Sequence, residues 1–120
     1  MAGNIRRRVS GCLLAATALA GMAAVWMGAQ STQTFTGKIT DDECPLASHE
    51  AMQMGPNDAE CTIACVEVHG ASYVLYDGMH SYRLSDQKTP KQFAGQKVTV
   101  TGTLDSKTST ITVASMAAAK

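Results

Sequence analysis

From Thr34 to Thr40 the chain alternates: Phe35, Gly37 and Ile39 fall on one side, the threonines and Lys38 on the other. A period of two predicts a half-buried strand. The same period returns from Lys97 to Leu104, with Val98, Val100 and Leu104 inward and Lys97, Thr99, Thr101 and Thr103 outward. It returns once more from Thr110 to Met116, with Ile111 and Val113 inward. Ser72 to Tyr76 is rich in strand formers, and Met79 to Leu84 reads as its partner. Asp77-Gly78 between them predicts a type I′ turn, in which both central residues need positive φ. Asp86 to Ala94, broken by Pro90, reads as a loop or short helix, and the tail from Ala117 to Lys120 is expected to fray.

About thirty residues with helical punctuation separate the first strand from the second. Pro45 suits the first position of a helix that Gly55-Pro56 would end. Asn57 or Asp58 caps a second helix, Glu60 completes a capping box, and Gly70 closes it at about His69. The predicted fold is therefore mainly β with a helical insert. It is a small five-stranded OB-fold-like Greek-key barrel with helices between strands 1 and 2.

The N-terminus has a different pattern. Arg6, Arg7 and Arg8 precede an uncharged run from Leu13 to Ala29, and small residues follow. This is the layout of a signal peptide over residues 1–31, with cleavage near 29–31, after Ala29 or after Ser31. Left uncleaved, the run would span roughly 25 Å as a helix, short of a hydrocarbon core of about 30 Å. Membrane contact is expected only through this segment, and the address is the periplasm or the extracellular space. Val9-Ser10-Gly11-Cys12 resembles a lipid-attachment box but precedes the apolar run, so Cys12 is read as passive. What remains is one domain, residues 32–120, with the insert at about 41–70.

Composition then narrows the function. The chain has 120 residues, ten bases and ten acids. With the three N-terminal arginines set aside, seven bases face ten acids, a net of −3. That balance disfavours nucleic acid as a partner, and the size excludes a large multi-step enzyme. A domain of about ninety residues buries only about 60–65% of its surface, so a covalent or metal staple would help it fold.

The C-terminal block carries a family resemblance. It comprises Tyr73-Val74-Leu75-Tyr76-Asp77-Gly78, then Tyr82-x-Leu84-Ser85-Asp86-Gln87, then Phe93 to Leu104 with its Ala-Gly-x-x-Val-x-Val-x-Gly run. With Asp41-Asp42-Glu43-Cys44 and Cys61-Thr62-Ile63-Ala64-Cys65 before it, the chain resembles a family of small exported bacterial proteins with a domain of unknown function. The same block resembles the bacterial OB-fold proteins of the stress-tolerance type. The resemblance covers roughly residues 35–116 and implies a fold and an address rather than an activity.

Chemistry concentrates in the insert. From Ile39 to Tyr82 there is no Lys or Arg, and the acids sum to −8. Such a field attracts cations. Within it Cys44, His49, Cys61, Cys65 and His69 follow the spacing C-x4-H-x11-C-x3-C-x3-H. Cys44, His49, Cys61 and Cys65 are the metal-ligand candidates, with His69 and Met52 as further possibilities. Thiolates with an imidazole suit a tetrahedral Zn²⁺, and the thioethers of Met52-Gln53-Met54 add a preference for Cu(I). The alternative is a disulfide joining Cys44 to Cys61 or Cys65, which fits an oxidising compartment. Two classes of function follow. One is a non-enzymatic binding module for a soft ion, zinc or copper. The other is a disulfide-stapled interaction domain, related to envelope stress, that binds a ligand or partner protein through the barrel face. A third, a thiol-redox enzyme, requires a thiol of low pKa and lacks Cys-x-x-Cys. Tyr73, Tyr76 and Tyr82 are read as sheet packing rather than a stacking platform for nucleic acid.

Overall fold

A computed structural model describes residues 30–120; the signal peptide expected over residues 1–31 lies, up to residue 29, outside the described residues. Five strands make one sheet: β1 (Gln33–Asp41), β2 (Tyr73–Tyr76), β3 (Ser81–Leu84), β4 (Lys97–Asp105) and β5 (Thr110–Ala118). One α-helix, α1 (Asp58–His69), lies between β1 and β2, and a 3₁₀ turn spans Thr89–Phe93. The spatial order is β1-β2-β3-β5-β4, and β1 pairs with both β2 and β4, so the sheet returns on itself. Every pairing is antiparallel except that of β3 with β5, where Arg83 faces Thr110 and Leu84 faces Ile111.

The alternation seen in the sequence becomes the core. Ile39, Leu75, Val98, Val100 and Ile111 are fully buried inside the ring with Tyr73 and Leu84 beside them. Phe35, Tyr82 and Val113 pack partly against that cluster, and the Phe35 and Tyr82 rings meet at 5.6 Å. On β1 the inward parity of Phe35, Gly37 and Ile39 runs on to Asp41, whose carboxylate is buried at the end of the ring. Gly37 is needed where β1 crosses β2, because a Cβ there would lie 2.4 Å from the Tyr76 carbonyl oxygen.

Three expectations are corrected. The insert holds one helix, not two: no helix starts at Pro45, and residues 42–57 run as turns and bends. The cause is local competition. Asp41 Oδ1 accepts from the Glu43 and Cys44 backbone N–H groups, the Thr40 hydroxyl donates to the Cys44 carbonyl, and Ala47 takes the left-handed conformation at φ 56°. The Cys44 carbonyl, bonded by the Thr40 hydroxyl, accepts from Ala47 N–H in a tight turn, and left-handed Ala47 breaks the helical run there. At Asp77-Gly78 only Gly78 has positive φ; Asp77 Oδ1 instead accepts from Met79 and His80 N–H, and β3 begins later, at Ser81. The tail does not stop at Met116, because Ala117 and Ala118 pair with Thr99 and Val98 on β4.

Candidate metal centre

Two surfaces build the site: the end of β1 with the turns that follow it, and the buried side of α1. The helix starts where the sequence places it. Asn57 is extended and its Oδ1 accepts from Glu60 N at 3.0 Å, while Asn57 Nδ2 donates to the Glu60 carboxylate. It stops at Gly70, left-handed at φ 73°, whose N–H bonds the Cys65 carbonyl. Ala59, Ile63 and Val66 pack against the ring core, which turns Cys61, Thr62 and Cys65 inward against the 42–57 segment.

His49 is drawn into this interior. Its Nε2 lies 3.0 Å from Asp41 Oδ2 and 3.4 Å from the Thr62 hydroxyl, and its Nδ1 lies 3.4 Å from Asp58 Oδ1. Asp41 gathers two groups of donors. Asp41, Cys44 and His49 offer ligand atoms that all lie within 4.8 Å of one another; so do Asp41, Glu43 and Cys65. In a tetrahedral zinc site, bonds of roughly 2.0–2.3 Å put ligand atoms roughly 3.3–3.8 Å apart. Contraction by about an ångström would close either group on an ion. The Met52 sulfur adds a soft donor 4.0 Å from Cys65 Sγ. Glu43, Cys44 and Met52 also line a cleft of about 330 Å³ that opens over the group.

The thiols are held protonated in the absence of an ion. Burial first, then the charges of Asp41 and Glu43, push the Cys44 thiol above its ordinary value. The same causes, with burial again the largest, push Cys65 up to about 12. Asp58 moves the other way: its hydrogen bond from Lys38 Nζ holds the carboxyl below the usual range.

Of the residues expected from the sequence, Cys44, His49 and Cys65 come together around Asp41, with Met52 against Cys65. Cys61 stands apart. Its Sγ accepts from Gly55 N at 3.1 Å and donates to Gly55 O, and it lines, with His49 and Asp58, a polar cavity of about 420 Å³. His69 sits at the exposed end of α1, 2.9 Å from Glu43 Oε2. All three cysteines among the described residues are free thiols. Asp41 and Glu43 were not among the sequence candidates.

Residues 66–119 match the family model of a protein of unknown function (DUF5818). The DUF5818 match begins at Val66, within α1, and takes in β2 to β5. Asp41, Cys44, His49 and Cys65 all precede it, so the candidate metal ligands lie on a part of the chain that the DUF5818 match does not reach. No curated protein and no solved structure matches the chain.

Proposed function

We propose that this is an exported, non-enzymatic binding module in which an OB-fold-like Greek-key barrel carries a site for a soft metal ion, zinc or copper. The strand order β1-β2-β3-β5-β4 with its parallel β3–β5 closure supports the barrel reading. The basic start and apolar run of residues 1–31 support export. One observation carries the metal reading: a fully buried carboxylate, Asp41, stands in two overlapping groups of thiol, imidazole and carboxylate donors. Buried charge of this kind needs a compensating partner, and a divalent ion supplies it to thiolates and carboxylates together. The thiol-redox alternative draws no support from the site, since a nucleophilic cysteine needs a lowered pKa and Cys44 and Cys65 are raised.

The test is intact mass and metal content of protein exported to an oxidising compartment and purified without chelator. The expected result is a fully reduced mass with about one zinc or copper ion per chain. Cys44→Ser and Cys65→Ser are expected to lose the ion, whereas Cys61→Ser keeps it, because the Cys61 thiol is turned to Gly55. Metal-free protein lighter by two hydrogens would instead mean a disulfide staple, and the metal reading would be abandoned.

A further inference from the structure

His49 is held between two carboxylates that differ in kind. Asp41, on the Nε2 side, is buried and belongs to both donor groups. Asp58, on the Nδ1 side, is half exposed, belongs to neither group, and is anchored from β1 by Lys38 Nζ at 2.5 Å from Oδ2. A neutral imidazole has one N–H and one lone pair, and the acceptor beside one nitrogen decides which nitrogen is left to bind an ion. Histidines that bind metal commonly donate their other N–H to a carboxylate, which fixes tautomer and ring orientation.

We propose that Asp58, anchored by Lys38, is a positioning residue that takes the Nδ1 proton of His49 as a hydrogen bond and so presents the Nε2 lone pair to a divalent ion held by Asp41 and Cys44. The inference rests on the metal reading above and adds to it the coordinating atom and the residues that choose it. Its parts come from three elements: Lys38 from the middle of β1, Asp58 from the first turn of α1, and His49 from the turns between them. Asp58 touches no candidate ligand but His49, so it acts on the ion only through the ring. The Thr62 hydroxyl, 3.4 Å from Nε2, can turn to accept or donate and does not compete for the choice.

The experiment uses the mature chain, with ¹⁵N-labelled histidine and zinc as the probe. Long-range proton–nitrogen NMR correlations report which ring nitrogen carries the proton. With zinc bound in place of the Nε2–Asp41 contact, the wild type is expected to carry the proton on His49 Nδ1 and zinc on Nε2. Asp58→Asn is expected to weaken zinc binding about 10–100-fold, and Asp58→Glu to recover part of the loss. Zinc found on Nδ1, or an Asp58→Asn protein that binds zinc within about twofold of wild type, overturns the inference while leaving the metal reading intact. A wild-type chain that takes up no zinc overturns the inference, and one that takes up neither zinc nor copper overturns the metal reading as well. Should Asp58→Asn fail to fold, the tautomer of the zinc-bound wild type alone decides.

Discussion

Asp41 does two jobs with two oxygens. Oδ1 accepts from the Glu43 and Cys44 backbone N–H groups and forms the turn that leaves the ring; Oδ2 faces His49. Substitution separates the jobs. Asp41→Asn keeps an oxygen for the turn but loses the charge, so the metal-free protein should unfold at nearly the wild-type urea midpoint while zinc affinity falls by more than about tenfold. Asp41→Ala loses the turn acceptor as well and should cost about 1–3 kcal/mol in urea unfolding without metal. Equal stability of the two variants would remove Asp41 from the turn. The residue was partly legible in the sequence. Asp41 continues the parity of Phe35, Gly37 and Ile39, so the inward face of the first strand ended in a carboxylate. In the sequence it counts only as one of the eight acids between Ile39 and Tyr82. Only the covering segment decides otherwise, and that depends on contacts of His49 with Asp41 and with Thr62 that no local pattern encodes.

Among the elements, β1, β4, β5 and α1 form where their local signals place them, whereas the Asp77-Gly78 turn does not take the form its dipeptide predicts. The strands follow from a period of two, and α1 from Asn57 at its start and Gly70 at its end, each satisfying backbone groups that the helix leaves open. The segment 42–57 had the same kind of punctuation in Pro45 and Gly55-Pro56, yet it is not helical. Its shape is set by side chains reaching elsewhere: Asp41 and Thr40 bind its first turn, His49 is pulled inward, and the Ser81 hydroxyl donates to the Pro45 carbonyl. Together the local bonds from Thr40 and Asp41 and the longer-range ones of His49 and Ser81 override propensity. The site thus joins one face of α1 to a segment with no regular structure of its own, and the two meet at the start of α1. Asn57→Ala removes the acceptor of Glu60 N–H and should cost about 0.5–2 kcal/mol. Faster amide exchange should appear at Glu60 and Cys61 and leave the β4–β5 ladder protected. Uniform acceleration across the sheet would show instead that the cap supports the whole fold.

Across the whole molecule the charges are sorted, and the sorting ties the parts together. Asp42, Asp58 and Glu67 from the acidic stretch pair with Arg83, Lys38 and Lys91 on or beside the strands. Exposed pairs of this kind contribute little, so the segment is held chiefly by its buried contacts, where protons and metal compete. Cys44 and Cys65 keep their protons to higher pH in the folded state than the ordinary thiol value of 9.0. A raised folded pKa gives stability that is complete below the unfolded value and is lost as pH rises through the folded one. For Cys65 that window runs from 9.0 to about 12. Burial raises Tyr73 and Tyr82 as well, and both add to the same alkaline loss. Zinc reverses the sign, because binding requires the thiolates and releases their protons. The metal-free protein is therefore expected to lose stability as pH rises above about 9, with a steeper decline in wild type than in Cys65→Ser. The rise in Tm that zinc gives should be largest above neutral pH and should fade as pH falls below about 6. Urea midpoints of both proteins across the alkaline range, and zinc-dependent Tm across the acidic one, read the two arms separately. Parallel alkaline slopes for wild type and Cys65→Ser would mean that the buried thiol holds no proton that the unfolded chain would lose. A zinc increment independent of pH would mean that the ion binds without the thiols.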